Sequence, residues 1–253
     1  MEKILEVTDL KKIYKNGRGV CDINFDINQG EIIGLLGPNG SGKTTIMKSI
    51  TGLLKIDNGN IKICGINISD KFEEAIVNVG CLIETPSAIG NMSCYNNLKL
   101  ISNYYSNIDT SRIDEVLQIV GLSKYKNDKV KNFSLGMKQR LAIAMAIYQK
   151  PRLVILDEPA NGLDIEGSKE LRKIISDLAK EFMISFLISS HQIYEIEMLC
   201  DKILIIQDGK IVDTCRVKNV KAEGISLEDY FIEKTNLNKE ADGNEFNYNR
   251  NKE

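Results

Sequence analysis

The stretch GPNGSGKT, Gly37 to Thr44, decides the fold of this 253-residue chain. It fits the pattern GxxxxGK followed by Ser or Thr, with Gly37, Gly42, Lys43 and Thr44 at the fixed positions. On its amino-terminal side EIIGLL, residues 31–36, is an apolar run that predicts a buried strand, and residues 44–54 predict the helix that follows. A strand, a glycine turn and a helix start place several backbone N–H groups and the positive end of a helix around one point. That arrangement suits a phosphate chain carrying several negative charges. Lys43 is then placed to bridge β- and γ-phosphates, and the Thr44 hydroxyl to sit on Mg²⁺.

The whole chain bounds the rest. It is 43% hydrophobic and 27% charged, enough to bury a good core as one globular unit with room for an inserted lobe. Net charge is −2 and the pI about 5.7, so no global field favours nucleic acid. Six cysteines, Cys21, Cys64, Cys81, Cys94, Cys200 and Cys215, show no CxxC spacing, and no apolar signal peptide precedes Leu5. The expectation is a reduced, cytosolic chain without a zinc site, its cysteines acting as small apolar fillers. No stretch reaches the roughly 18 to 20 apolar residues that cross a bilayer, so work at a membrane would need a spanning partner.

Short strands are expected at residues 5–7, 20–27 and 60–63, around the turns KNGRG (15–19) and DNGN (57–60), forming a small, partly antiparallel sheet. A further strand at 77–83 leads to Glu84, and residues 95–120 show helical spacing broken at 103–111. This is the candidate helical lobe. Runs at 153–156, 184–188 and 203–206, separated by helical segments such as 166–180, predict a mostly parallel sheet. SLEDYFIEK, residues 226–234, reads as a short helix capped by Ser226, and the polar tail 236–253 as disordered.

LVILDEP, residues 153–159, is a buried strand that can present carboxylates only at its carboxyl end. Asp157 then faces the metal, and Glu158 is placed to polarise an attacking water. Between the two motifs lies FSLGMKQRL, residues 133–141, with Ser134 able to cap a helix beginning near Leu135 and Gly136 small enough for backbone to approach phosphate.

With these motifs in this order, the chain resembles the nucleotide-binding subunit of an ATP-binding cassette transporter over about residues 4–207. FSLGMKQ is similar to the family signature LSGGQ, keeping Ser134 and Gly136 and departing at Phe133, Leu135 and Met137. NGLD, namely Asn161, Gly162, Leu163 and Asp164, resembles the loop that communicates between subunits. The single histidine, His191, resembles the switch histidine at the γ-phosphate, and Tyr14 the aromatic that stacks on adenine. Glu84, in CLIETPSA, stands where most members place a Mg²⁺-sensing glutamine. That variant resembles the branch exporting lantibiotics, bacitracin and related peptide antibiotics.

The resemblance implies an α/β fold: a P-loop NTPase (RecA-like) core with a mostly parallel sheet, an antiparallel β subdomain and an inserted α-helical subdomain. It implies a cassette over residues 4–215, its helical part at about 86–150, and a carboxyl-terminal extension over 216–253. ATP and Mg²⁺ are the implied ligands. The nucleotide set is Tyr14, Gly37, Pro38, Asn39, Gly40, Ser41, Gly42, Lys43, Thr44, Thr45, Ser134 and Gly136; the metal set is Thr44, Asp157 and Glu84. Lys43, Glu158 and His191 would act in hydrolysis. Implied partners are a second copy, head to tail with ATP at the interface, and integral membrane permease subunits that move a peptide antibiotic, with this chain peripheral on the inner membrane face. The rival from another class is a soluble cassette ATPase of translation or DNA repair, which usually carries two cassettes or a long coiled-coil insertion; neither is visible here.

Overall fold

A computed structural model describes residues 2–84, 88–105 and 107–235. The expected tail at 236–253 and the Thr85-Pro86-Ser87 part of CLIETPSA lie outside the described residues, as does Ser106 within the expected helix break.

The chain opens with a long antiparallel pair, β1 (Lys3–Ile13) and β2 (Gly19–Asn28), in register from Lys3↔Asn28 to Ile13↔Gly19. Its connection closes with Tyr14 N donating to the Arg18 carbonyl at 2.7 Å. There follow β3 (Ile32–Leu36), α1 (Lys43–Ile50), β4 (Asn58–Ile63), the two-residue β5 (Ile66–Asn67) and α2 (Phe72–Ile76). Then come β6 (Val79–Leu82), α3 (Cys94–Ser102), α4 (Ser111–Ile119), α5 (Leu135–Ala146), β7 (Leu153–Asp157) and α6 (Ile165–Phe182). The last elements are β8 (Ser185–Ser190), α7 (Ile193–Leu199), β9 (Lys202–Gln207), β10 (Lys210–Arg216), α8 (Val217–Ala222) and a helical segment at 227–235.

Two sheets form. One is antiparallel throughout, in the order β2-β1-β4-β5. The other runs β10-β9-β3-β8-β7-β6 and is parallel except for the edge strand β10. Every residue of β3 is buried, because the parallel sheet is covered on both faces. Alternation then sorts its side chains: Ile33 and Leu35 join Ile46, Met47 and Ile50 of α1 and the antiparallel sheet in one core. Ile32 and Leu36 join the core built with α5, α6 and α7. The glycine loop is thereby held between two packed layers.

The helices α3, α4 and α5 pack on one another. Ser93 caps α3 by accepting from Asn96 N, and buried Arg112 of α4 donates to the carbonyls of Ile147 and Tyr148 just past α5. A cation there meets the carbonyls and the negative charge of the helix end.

Some boundaries differ from expectation. The helix expected over 44–54 stops at Ile50, because Gly52 turns to φ +72°, where a side chain would also strike the Phe72 ring. β10 and α8 have no strong sequence signal: KIVDTCR alternates weakly and lies on an edge with mixed exposure. The segment 227–235 begins as expected, with Ser226 Oγ accepting from Asp229 N at 3.0 Å, and it docks on β10 through Tyr230 Oη donating to Asp213 at 2.6 Å. All six cysteines are free. Cys94 and Cys200 are buried as fillers, with burial pushing the Cys94 thiol up to about 12, whereas Cys81 faces solvent rather than filling the core. Among the described residues no helix is long and apolar enough to cross a membrane.

Candidate nucleotide site

Strands β3, β8 and β7 lie side by side and parallel, so their carboxyl ends open on one crevice. The glycine loop leaves β3, Asp157 and Glu158 leave β7, and His191 leaves β8. Three motifs far apart in sequence meet there for topological reasons.

The loop depends on its glycines. At Gly37 a Cβ would lie 2.3 Å from the Ile206 carbonyl oxygen, and Gly42 sits at φ +110° with Val20 where its Cβ would be. Lys43 is buried, and its ammonium donates to the carbonyls of Gly37 at 2.7 Å and Pro38 at 3.1 Å. It also stands 3.5 Å from Glu158 Oε1. Thr44 Oγ1 donates to Asp157 Oδ2 at 2.8 Å, while Ser189 Oγ donates to the other oxygen of the same carboxylate. Ser189 Oγ accepts in turn from Glu158 N at 2.9 Å. Glu158 has φ +50°, a left-handed turn that lifts its carboxylate off the strand line toward Lys43 on one side and His191 on the other. His191 Nδ1 is 2.6 Å from Glu158 Oε2.

Lys43, Thr44, Asp157 and Glu158 border a cavity of about 740 Å³, lined also by Tyr14, Asn39, Gly40, Gly42, Thr45, Glu84 and Asn161. Tyr14 is partly exposed at its mouth, with its hydroxyl 3.3 Å from Thr45 Oγ1. Asp57 anchors the strand end before it, accepting from Ile13 N at 2.7 Å and from the Lys12 ammonium at 2.9 Å. Those bonds hold the Asp57 carboxyl below its usual value of 3.8. Glu84, at φ +68°, is exposed and pairs with Lys48 of α1, whose pKa that hydrogen bond raises.

Other expected residues fall elsewhere. Ser134 and Gly136 line a separate hollow of about 380 Å³ together with Gly162, Leu163 and Asp164. Ser134 caps α5 by accepting from Met137 N, and Asp164 caps α6 by accepting from Gly167 N at 2.8 Å. Gly37, Pro38 and His191 border a third hollow, on the side of Phe231 and Thr235. The cavity also takes residues outside the expected nucleotide set: Asn16, Arg18 and Gly19 of the turn KNGRG, and Leu135 and Gln139 of FSLGMKQRL. Arg18 had one available signal, a cation in the turn directly after Tyr14; Gln139 had none beyond its helix.

Thr44 and Asp157 together offer hard oxygen donors suited to magnesium, which takes one or two carboxylates and completes its shell with water and phosphate oxygens. Among the described residues no cluster of three or more His, Cys, Asp or Glu side chains could hold a metal unaided.

The family described as ABC transporter matches residues 20–161, more than half of the chain and spanning the glycine loop, Asp157, Glu158 and Asn161. The chain belongs to the ABC transporter family. An uncharacterized ABC transporter ATP-binding protein of Bacillus subtilis is 41% identical over 231 residues, covering 90% of this chain and 75% of that one. The bacitracin transport ATP-binding protein of Bacillus licheniformis is 42% identical, over 87% of this chain and 72% of its own. A lantibiotic transport ATP-binding protein of Streptococcus pyogenes is 41% identical, over 83% and 89%. Among solved structures, an ATP-binding subunit of an ABC transporter superposes with TM-score 0.81 at 28% identity, covering 92% of this chain and 99% of the other. This ABC chain is thus an ATP-binding ATPase subunit, with the mostly parallel core, antiparallel sheet and helices of that fold.

Proposed function

We propose that this ABC ATPase hydrolyses ATP in the 740 Å³ cavity to drive export of a peptide antibiotic of the bacitracin or lantibiotic type through separate membrane subunits. The observation that carries the hydrolytic part is the convergence of Lys43, Thr44, Asp157, Glu158 and His191 at three adjacent strand ends. Tyr14 stacks the adenine, and the N–H groups of residues 37–45 cradle the phosphates. Lys43 exchanges its two loop carbonyls for β- and γ-phosphate oxygens, a charge-assisted and therefore stronger partnership. Glu158 orients water for in-line attack, and His191, hydrogen-bonded to Glu158, both fixes that carboxylate and reaches the γ-phosphate. Thr44 and Asp157 would hold Mg²⁺, with Glu84 as a further oxygen, and the ion when bound neutralises charge on the β- and γ-phosphates.

The hollow holding Ser134, Gly136, Gly162, Leu163 and Asp164 is separate from the one that Lys43 borders, which supports assigning it to the nucleotide of a second copy. A head-to-tail homodimer then closes on two ATP molecules and reopens after hydrolysis. In this reading residues 4–215 are the cassette, with its helical part at about 86–150, and residues 216–253 an extension. The chain works on the inner membrane face beside its permease.

The cargo assignment rests on the bacitracin and lantibiotic relatives at 42% and 41% identity and on Glu84. Expression of the chain with the membrane proteins encoded beside it, followed by survival in bacitracin and in a lantibiotic, tests it. Protection that needs both partners and an intact Lys43 is expected. Unaltered sensitivity to every peptide, with ATP turnover and membrane association intact, would contradict the cargo and leave the ATPase standing.

A further inference from the structure

His191 has a single side-chain hydrogen bond among the described residues, the one to Glu158, so its position is set mainly by the backbone that carries it. That backbone leads straight into α7, a helix of 7 residues whose N-cap Gln192 makes no side-chain cap bond and whose only buried residue is Ile196. Ile196, with the partly buried Ile193 and Leu199 beside it, seats the helix on the core, but so short a helix has little stability of its own. The second anchor is polar. Arg172 of α6 places Nη1 2.7 Å from both carboxylate oxygens of Glu195 in the first turn of α7, with the two side chains only 14% and 12% exposed. The guanidinium also lies 5.5 Å from the Tyr194 ring.

The two helices joined in this way are the ones that follow two of the expected motifs of the site. α6 starts directly after Asp164, and α7 after His191 and Gln192. The seam between them runs behind Glu158, Pro159 and Asn161 and encloses a space of only about 20 Å³, so little slack separates the ion pair from the Glu158 turn. An ion pair this dry is costly to form and costlier to break, because removing one partner leaves the other charge buried and unpaired.

We infer that Arg172 and Glu195 are positioning residues that hold α7 on α6 and thereby keep His191 at hydrogen-bonding distance from Glu158, tying the switch histidine to the loop Asn161 to Asp164. This rests on the hydrolytic reading given above for His191. Neither residue touches ATP, so both act on turnover rather than on affinity.

A double-mutant cycle on ATP turnover tests the pair, using Arg172→Met, His191→Ala and the two together, with ATP affinity and melting temperature measured on each. Arg172→Met is expected to lower kcat about tenfold or more with KM within about twofold, since displacing a catalytic group by about 1 Å can cost on the order of a hundredfold. In the His191→Ala background the same change should cost less than about twofold, because the group it positions is already gone. The charge-swapped pair Arg172→Glu with Glu195→Arg should recover part of the lost kcat. If Arg172→Met does not fold, Glu195→Gln carries the same cycle. Equal losses in both backgrounds, or a loss matched by the fraction of unfolded protein, would overturn the inference. So would a large effect of His191→Ala beside none of Arg172→Met, which leaves the hydrolytic reading intact. No effect of either substitution would remove the role of His191 itself.

Discussion

Thr44 Oγ1 donates to Asp157 Oδ2 at 2.8 Å, joining the end of the glycine loop to the end of β7 across 113 positions of sequence. Parallel pairing makes the contact possible, since β3 and β7 flank β8 and all three end on one side. The hydroxyl and the carboxylate bring two oxygen donors together, with the hydroxyl next in sequence to the buried ammonium of Lys43.

Lys43→Ala should weaken ATP binding about 10- to 100-fold, the loss of a charged hydrogen-bond donor worth roughly 1.5 to 3 kcal/mol. Calorimetric titration with ATP and magnesium measures it. The chain should remain folded, because the carbonyls of Gly37 and Pro38 that lose their donor border open hollows where water reaches them. Unchanged affinity would place the nucleotide elsewhere.

Asp57 supplies a pH dependence. Its carboxyl is held below 3.8 by bonds from Ile13 N and the Lys12 ammonium, so its folded form favours ionisation more than the unfolded chain does. A depressed folded pKa contributes stability that is fully present above the unfolded value and is lost as pH falls through the folded one. The stability gap between the native chain and Asp57→Asn should therefore be constant at neutral pH and shrink as pH falls below 3.8 and through the lower folded value, where Asp57 becomes neutral. Urea unfolding of both proteins at stepped pH checks this. A gap that grows on acidification would contradict the assignment.

Much of the site was legible because phosphate chemistry demands local patterns: a glycine turn between strand and helix, and two acids after four apolar residues. Ser134 as a helix cap is likewise a local fact, and the structure has it accepting from Met137 N. What sequence left open depends on long-range approach. Gln139 and Leu135 border the cavity because α5 packs beside the Glu158 turn, and no spacing in FSLGMKQRL says so. The overlong α1 expectation passed over a local stop, the left-handed turn at Gly52, and the missed β10 is an edge strand whose side chains alternate too weakly to show. The pair Arg172 and Glu195 is silent in sequence, since charged residues on helices ordinarily face solvent.

Glu84 pairs with Lys48 on the cavity wall, and an exposed pair of this kind is worth about 1 kcal/mol at most. Glu84→Gln should keep nucleotide binding and much of the basal ATPase rate, because Lys43, Asp157, Glu158 and His191 remain. It should lower survival in peptide antibiotics, since a neutral amide no longer pairs with the Lys48 charge, and Glu84→Ala should lower it further. Matched expression with ATPase rates and survival curves makes the comparison. Full protection in both variants would show Glu84 to be an incidental surface acid.

The most direct measurement is ATP turnover together with oligomeric size for Glu158→Gln. The substitution keeps the shape of the side chain and removes the charge that stands between Lys43 and His191. ATP affinity should stay within a few-fold, turnover should fall about 10²- to 10⁴-fold as expected for loss of a general base, and an ATP-bound dimer should accumulate on size-exclusion chromatography. A variant that remains monomeric with ATP and turns it over at the native rate would contradict the hydrolytic role of Glu158, and with it the account of the site.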